Sequence, residues 1–518
     1  MIFLKKHNST HAKDSDYELI ATTRSSEKPI ITVITPIYNN EKTIRKSIDS
    51  VLKQSIGHQK IEYILVDDGS VDNTRNILLD YAANYPSIIL AFLKKNTGTP
   101  ASPRNLGIQL ATAPYLTFLD ADDWFEKSGL EKLYSVLEDT GDDYVVGKTI
   151  QIGSKHTKII GEHESCIERR SVLAASIPHI FQHLGPRARM LKTKIVKENN
   201  LSFPAMKYAE DKQFFMDYLI CAKKISTIKD TVYYVNRLDD NNESLTKQTN
   251  VLKKMQCNLQ VIDYFQQKKF DATLQKMILN RLYEFDCLIR FINKYHTLRS
   301  EPDTSFKIKI TDFMKRQAYI RTFKKVVKSA SKLDYDIQDY FFQPINKVCY
   351  QLFKQKQYKQ VELLFKWHAR EKVKQHIVID DQPYILSPLK EPYKYINIPM
   401  YAELVKSYAS NENYYLYFKV AGNYIANITD VLFRNRHKIE NEFSVQIAID
   451  SNGNGMMELP LICLKSLPAS IYDIFLRYQD YHKIHFVIPA ASDPVSVKDK
   501  ENYHFYTTKH QHFALKIH

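Results

Sequence analysis

The sequence predicts an α/β protein with a mainly parallel sheet, followed by a helical segment and a C-terminal β-sandwich. Strands and helices alternate from residue 30 to about residue 125. Residues 250 to about 370 have helical patterns and almost no Gly or Pro, and short alternating runs separated by Asn, Gly, Asp and Pro follow from about residue 375. The first pattern is typical of a sheet with helices on both faces, and the last is typical of an antiparallel sandwich.

Four apolar runs in the first segment are the predicted strands. The first helix is predicted by Ile44, Ile48, Val51 and Leu52, which recur at helical spacing. The strands lie in PIITVITPIYN, IEYILVDDGSVDNT, IILAFL and YLTFLDADD. A second helix is predicted to carry Ile77, Leu78 and Tyr81, and a third lies in SPRNLGIQLATA. Because ligands of such sheets bind beyond the carboxyl ends of the strands, the polar clusters TPIYN, DDGS and DADD mark the expected site.

Composition limits the class of protein. The chain has 518 residues, enough for two to four domains, and its 44% hydrophobic and 25% charged residues are ordinary for a globular protein. The net charge of +15 fits either a solvated Lys-rich surface or an anionic partner such as nucleic acid, a membrane face or a phosphate-rich substrate.

The cysteines and the apolar runs indicate a cytoplasmic location. The six cysteines form no CxxC pair, so the sequence suggests neither a zinc site nor a dense disulfide framework and predicts reduced core residues. No signal peptide and no apolar run of about 18 residues is found, so we expect any contact with the inner membrane face to be peripheral.

Three carboxylates follow the fourth strand, in YLTFLDADDW. These are Asp120, Asp122 and Asp123, of which Asp120 and Asp122, one residue apart, would repel each other and lose solvation unless a cation lay between them and an anionic ligand. Oxygen ligands favour Mg²⁺ or Mn²⁺, and such an ion stabilises a departing diphosphate. The alternative is an Asp-rich turn that caps a helix starting near Phe125.

Two further motifs end at the same predicted edge. Asp67 and Asp68 follow the second strand, where a carboxylate could accept the N3–H of a uracil base or simply form a turn. Tyr38 follows the first strand and could stack on that base, while Pro36 would shape the pocket.

These motifs, in this order, resemble those of glycosyltransferase family 2, the nucleotide-sugar transferases of GT-A fold. The resemblance covers roughly residues 30–250. It is carried by ITVITPIYNNEKTIRKSIDSVLKQS, YILVDDGSVDNT, GTPASPRNLGIQLATAPYLTFLDADD and AEDKQFF.

The resemblance implies a role for each matched residue. An inverting transfer needs a base for the acceptor hydroxyl, and a carboxylate suits that task. Without the resemblance, KYAEDKQFF would be an ordinary helix start. The implied roles are a uridine pocket of Pro36, Tyr38 and Asp68, a donor-pocket residue Arg104, a DxD metal motif of Asp120 and Asp122 with Asp122 the direct ligand, and a general base Asp211 with Glu210 beside it.

One segment departs from the family pattern. In YYVNRLDDNNESLTK, where several members carry a His that completes the metal site, this chain has Ser244 preceded by Glu243. The metal then has Ser244, Glu243 or water as its further ligand. Arg237 and Thr246 are expected to meet the diphosphate.

The whole layout resembles the Gram-positive wall teichoic acid glycosyltransferases. This implies transfer of N-acetylglucosamine from UDP-GlcNAc to poly(ribitol phosphate), with basic residues of the helical segment as phosphate contacts. The expected parts are an extension (1–29), a GT-A domain (30–250), a helical linker (251–374) and a sandwich (375–518) that binds polymer or forms a homo-oligomer.

Three alternatives stay open at this point. The chain could be a capsule or exopolysaccharide transferase with a neutral acceptor. It could also be a polysaccharide-binding protein with a degenerate transferase domain, against which the intact carboxylates argue. A nucleic-acid partner is not expected, since no nucleic-acid-binding motif is present.

Overall fold

The computed structural model describes residues 17–21, 28–154, 156–238, 250–295, 306–410, 412–489, 496–498 and 503–518. The chain divides into two compact units, one ending at Cys287 and one beginning at Leu288. The helices between residues 251 and 287 therefore belong to the first unit. The boundaries predicted at residues 250 and 374 stay predictions.

A mixed sheet forms the centre of the first unit. Its described strands are β1 Tyr17–Ala21, β2 Ile31–Ile37, β3 Ile61–Asp67, β4 Ile88–Leu93, β5 Tyr115–Phe118, β6 Trp124–Phe125, β7 Tyr144–Gly153, β8 Thr157–Ile160, β9 Arg169–Val172, β10 Arg189–Lys192 and β11 Ile225–Arg237. Their order is β1-β4-β3-β2-β5-β10-β7-β11-β6, with β8 on β7 and β9 on β11. The four predicted strands, β2 to β5, pair in parallel, which confirms the α/β class.

Helices cover this sheet. They are α1 Ile44–Leu52, α2 Thr74–Asn84, α3 Ala101–Leu110, α4 Gly129–Thr140, α5 Glu162–Ser165, α6 Thr193–Glu198, α7 Glu210–Cys221, α8 Val251–Gln267, α9 Ala272–Asn280, the π-helix Arg281–Leu288, and the 3₁₀ turns His58–Lys60 and Ala174–Ser176. The apolar stripe of α1 is buried as its spacing predicts. Helix α3 lies against β2 so closely that a Cβ on Gly107 would be 2.4 Å from Cγ2 of Ile34.

The segment after DADD differs from the helix start considered near Phe125. Trp124 and Phe125 form β6, which pairs with Tyr234 and Tyr233 of β11, and the helix begins only at Gly129. The aromatic pair is drawn into the sheet because Phe125 packs edge-on against Tyr233, with ring centroids 5.4 Å apart.

The second unit joins helices to an all-β part. The helices are α10 Ile289–Tyr295, α11 Phe306–Ala330, α12 Pro344–Lys354 and α13 Tyr358–Arg370, with 3₁₀ turns at Ile337–Tyr340, Ile425–Asn427 and Leu461–Ser466. The strands are β12 His376–Ile379, β13 Gln382–Leu386, β14 Tyr395–Asn397, β15 Met400–Ala409, β16 Asn413–Gly422, β17 Ile428–Asn435, β18 Glu442–Val445, β19 Ile447–Ile449, β20 Asn454–Pro460, β21 Ser470–Tyr478, β22 His482–Val487, β23 Ser496–Lys498, β24 Tyr503–Thr507 and β25 Phe513–Ile517. The helical and the β textures of the sequence are both confirmed.

The larger of the two C-terminal sheets folds over itself. Its order is β19-β20-β16-β15-β22-β21-β25-β24-β23, with β17 on β21 and β18 on β17. Tyr414 of β16 stacks on Phe505 of β24 with ring centroids 3.6 Å apart, although β16 and β24 are not neighbours in this order. The pairing of Ala402 with Phe486 is parallel, so the expected antiparallel pattern is broken between β15 and β22.

The described helices include none with the length and apolar content that a membrane crossing needs.

Candidate active site

The strand order of the first unit reverses beside β2. The chain moves from β2 to β3 and β4 on one side, and α3 then returns it across the sheet to β5 on the other side. The carboxyl ends of β2 and β5 are thus neighbours, with Ile34 opposite Phe118 in the parallel register. Ligands bind at such a switch point, and Tyr38 and Asp120 follow these two strand ends.

The carboxylate of Asp68 lies in a polar pocket next to β2. Its oxygens accept hydrogen bonds from the backbone N–H of Thr97 at 3.0 Å and from Oγ1 of Thr97 at 2.9 Å. Burial raises the pKa of Asp68, while the hydrogen bonds from Thr97 oppose that rise. The N–H of Asp68 bonds to the carbonyl of Ile37 at 2.8 Å, which fixes Asp68 beside the end of β2.

The other members of this cluster have different positions. The ring of Tyr38 is 46% exposed at the strand end, where a planar base can stack on it. Pro36 lies within β2 opposite Val66. Asp67 accepts the N–H of Ser70 at 3.2 Å, so the turn interpretation holds for Asp67.

Asp123 is a structural carboxylate within the DADD motif. It is buried, and its oxygens accept the N–H of Asn236 at 2.8 Å and the hydroxyl of Tyr233 at 3.0 Å. The same hydroxyl accepts the N–H of Asp120 at 3.1 Å. Burial, reinforced by the charges of Asp122 and Asp120, raises the pKa of Asp123 well above its usual range. The strand end is therefore a region of negative potential, fastened to β11.

Arg104 joins the two carboxylate motifs. Arg104 is 4% exposed, and its Nη2 lies 2.8 Å from Oδ1 of Asp120 while its Nη1 lies 3.2 Å from Oε1 of Glu210. The ring of Phe203 lies 5.3 Å away. Burial and the charge of Asp211 raise the pKa of Glu210 to about 7, although Arg104 opposes the rise. The predicted residues Arg104, Asp120 and Glu210 are thus in direct contact.

Asp211 lies in the first turn of α7, beside Glu210. Helix α7 follows Ala209, whose left-handed backbone (φ 73°) starts the turn. Oδ1 of Asp211 accepts the N–H of Lys212 at 2.7 Å. A Cβ on Gly185 would be 3.5 Å from Oδ2 of Asp211 and 3.3 Å from Nη2 of Arg187, so this loop borders the carboxylate.

Buried ion pairs hold both the loop and the helix. Arg189 donates to the carbonyl of Gly185 at 2.7 Å and to Glu164 at 2.7 Å, which fixes the loop. Lys212 Nζ donates to Oδ1 of Asp286 at 2.6 Å and so ties α7 to the π-helix. The sequence patterns do not predict a role for these residues, nor for Thr97 and Tyr233. Lys212 and Arg189 have polar or charged neighbours in the sequence, so no local signal indicated that they would be buried.

The carboxylates at the strand end fit a divalent ion that arrives with a phosphate ligand. No group of three or more His, Cys, Asp or Glu side chains is placed to hold a metal within the described parts of the chain. Mg²⁺ needs no such group, because it is usually held by one or two carboxylates together with substrate phosphates and water. Asp120 and Asp122, which lie in the negative potential of the strand end, fit this donor set.

The remaining predicted residues lie farther along the chain. Arg237 ends β11, where its Nη1 donates to the carbonyl of Asn236 at 2.6 Å and its charge opposes the rise in the pKa of Asp123. Ser244, Glu243 and Thr246 lie outside the described residues. Their predicted contacts with metal and diphosphate stay predictions.

This α/β sheet brings an exposed aromatic ring, strand-end carboxylates and a helix-start carboxylate to its switch point. That is the organisation of a GT-A glycosyltransferase. The chain belongs to glycosyl transferase family 2. The family model, Glycosyl transferase family 2, matches residues 32–199.

Two relatives show how far this similarity extends. The poly(ribitol-phosphate) beta-N-acetylglucosaminyltransferase TarP of Staphylococcus aureus is 32% identical over 227 residues, which are 42% of this chain and 67% of TarP. The poly(ribitol-phosphate) beta-glucosyltransferase of Bacillus spizizenii is 32% identical over 206 residues, 39% of this chain. The chain spans about a third of that second relative, 32% of its length.

Solved structures show the same fold. The crystal structure of S. aureus TarS matches with a TM-score of 0.56 at 16% identity, over 94% of this chain and 85% of that chain. S. aureus TarS 1–349 in complex with UDP-GlcNAc matches with a TM-score of 0.55 at 18% identity, over 71% of this chain and 99% of that chain. At these identities the likeness concerns the fold.

Proposed function

We propose that this chain is a metal-dependent, inverting transferase that moves N-acetylglucosamine from UDP-GlcNAc onto the poly(ribitol phosphate) of wall teichoic acid. The observation that carries the proposal is the contact of Arg104 with Asp120 and Glu210, because it unites the DxD motif and the acidic helix start in one site. The names of the relatives support the class of acceptor and leave two donor sugars, N-acetylglucosamine and glucose.

The uridine of the donor is assigned to the pocket at the ends of β2 and β3. Tyr38 stacks on the base, and Asp68 accepts its N3–H. A carboxylate has about four lone-pair positions, so the bonds from Thr97 leave Asp68 able to accept another. Thr97 also fixes the direction in which Asp68 points, and Pro36 shapes the wall of the pocket.

The diphosphate is assigned to the negative strand end and to Arg237 and Thr246. Asp120 and Asp122 would hold Mn²⁺ or Mg²⁺, with Asp122 as the direct ligand and Ser244 or water completing the set. The ion supplies positive charge to the diphosphate that leaves. Arg104 keeps Asp120 in place through its 2.8 Å contact.

Asp211 is assigned the proton transfer. A hydroxyl oxygen of the acceptor attacks the anomeric carbon, the bond from that carbon to the diphosphate oxygen breaks, and the hydroxyl proton passes to Asp211. Glu210, held by Arg104, lies beside the base. The bond from the N–H of Lys212 to Asp211 fixes the carboxylate at the helix start.

The charge of +15 supports an anionic acceptor. A cytoplasmic location and homo-oligomerisation through residues 375–518 complete the proposal. The donor-binding residues all lie before residue 250, which supports a separate role for the C-terminal part in binding polymer or assembling subunits.

The test is release of UDP from a panel of UDP-sugars, with and without purified poly(ribitol phosphate). We expect UDP-GlcNAc or UDP-glucose to be consumed faster with polymer, and the polymer to gain the sugar by mass. A neutral capsule polysaccharide serves as the control acceptor, and the Asp211→Asn variant as the enzyme control. Stimulation by the neutral polymer alone would reject the teichoic acid acceptor, whereas no UDP release from any donor would reject the transferase.

A further inference from the structure

Helix α11 has one face packed within the second unit. Tyr319, Phe323 and Val326 are buried on this face. The ring of Phe323 stacks on that of Phe291 with centroids 4.5 Å apart. Arg316 also turns to this side, where Nη2 lies 2.7 Å from Oε2 of Glu362. The face of α11 that carries these residues is therefore the one that packs on the core of the second unit.

The opposite face of α11 begins with three exposed apolar side chains. Ile310, Phe313 and Met314 are 44%, 62% and 64% exposed. Their i, i+3, i+4 spacing places them side by side on the helix, and the middle of the group lies about half a turn around the axis from the buried face, with Phe313 at the edge of the group. Large apolar side chains grouped in this way mark an interaction surface, whereas single exposed ones do not.

The same face continues with cations. Arg321, Lys324, Lys325 and Lys328 are exposed and lie along the line of the apolar group. The helix sequence contains one acidic residue, Asp312, whose position falls on the side of the core. At 1.5 Å per residue this stripe, residues 310–328, is roughly 27 Å long.

We propose that the stripe of residues 310–328 docks on an anionic membrane surface. A polyol phosphate polymer is hydrophilic, so it would use the four cations but gain nothing from Ile310, Phe313 and Met314. The interface of an anionic bilayer accommodates both halves, because apolar side chains enter the headgroup region while Lys and Arg contact the phosphates. Membrane docking by this stripe does not depend on the donor, acceptor and base assigned above.

The test is co-sedimentation of the full chain with vesicles of phosphatidylcholine alone or with about 30 mol% phosphatidylglycerol, an anionic content that gives a negative surface potential. We expect binding to the anionic vesicles that weakens as salt rises. The pair Phe313→Ser and Met314→Ser should weaken it about tenfold or more, through lost apolar burial. The pair Lys324→Glu and Lys325→Glu should also weaken it. The Ile462→Ser variant, altered at a side chain 65% exposed elsewhere, should bind as the unaltered chain does.

Solution mass, unfolding midpoint and UDP-sugar hydrolysis are measured for every variant and should not change. Equal binding to both kinds of vesicle, or binding that ignores both altered pairs, would overturn the proposal. A lower solution mass of the Phe313/Met314 variant would reassign the stripe to a contact between copies of the chain. Loss of binding to soluble polymer in the Lys324/Lys325 variant, with vesicle binding intact, would reassign the cations to the acceptor.

Discussion

The replacement of Arg104 by Met tests the contact on which the proposed site depends. Met keeps much of the length and the apolar stem of Arg but leaves Asp120 and Glu210 without their guanidinium. Arg104 is 4% exposed, so water cannot take its place. Removing one partner of a buried ion pair costs about 3–5 kcal/mol, and since the side chain of Asp120 is 31% exposed we expect about 3 kcal/mol.

The loss should depend on pH in a definite direction. The pKa of Glu210 is raised to about 7, so at pH 5.5 this carboxyl holds a proton with or without Arg104. At about pH 8 the unaltered chain has released that proton, whereas the variant, lacking the cation, retains it. One pH unit between about 7 and 8 corresponds to roughly 1.4 kcal/mol, so the variant should lose about that much more stability at pH 8 than at pH 5.5.

Urea unfolding at the two pH values gives both numbers. The Glu210→Gln background is the control, because the amide cannot titrate, and in that background the extra loss at pH 8 should disappear. A loss of equal size at both pH values, or an extra loss at pH 8 that persists in the Glu210→Gln background, would refute the coupling of Arg104 to Glu210. Full stability of Arg104→Met would refute the ion-paired site as a whole.

Three further outcomes are expected. Asp211→Asn should lower kcat for sugar transfer by about 10²–10⁴-fold with little change in donor KM, and an equal rise in KM would instead mark Asp211 as a binding residue. EDTA should abolish UDP release, and Mn²⁺ or Mg²⁺ should restore it; full activity in chelator would contradict the metal role. Asp122→Ala should lose the restored activity while its unfolding midpoint does not fall, because the change removes a charge that acts on the buried Asp123. Glu210 keeps its proton to about pH 7 in the folded chain but loses it near pH 4.5 in the unfolded chain. The free energy of unfolding should therefore fall as the pH rises from about 4.5 to about 7. Calorimetric scans of Glu210→Gln should show a flatter fall.

The parallel strands and their polar ends could be predicted because both signals are local. A strand appears as a short apolar run, and the carboxylates that follow it must lie at the carboxyl edge of the sheet. Tyr38, Asp68 and Asp120 follow strand ends at that edge, as this reasoning predicts. The helices and strands of the second unit could be predicted equally well, since each pattern depends on the spacing of apolar residues within a few positions.

The contacts within the site could not be predicted, because they join distant segments. Arg104 meets Glu210 across 106 positions, and Tyr233 meets Asp123 across 110. Nothing in the spacing of PRN indicates that α3 lies beside the start of α7. The β6 pairing was missed for the same reason, since Trp124 and Phe125 acquire their partners only once β11 is in place.

The DADD motif shows why identical neighbouring residues take different roles. Asp123 points toward β11, where Tyr233 and Asn236 supply its hydrogen bonds. Asp120 points toward α3 and is paired with Arg104. These contacts satisfy the two side chains without removing the negative potential, because Asp122 and Asp120 still raise the pKa of the buried Asp123. A divalent cation that arrives with a diphosphate would lower the free energy of this strand end, which is the physical reason to expect that metal and donor bind together rather than independently.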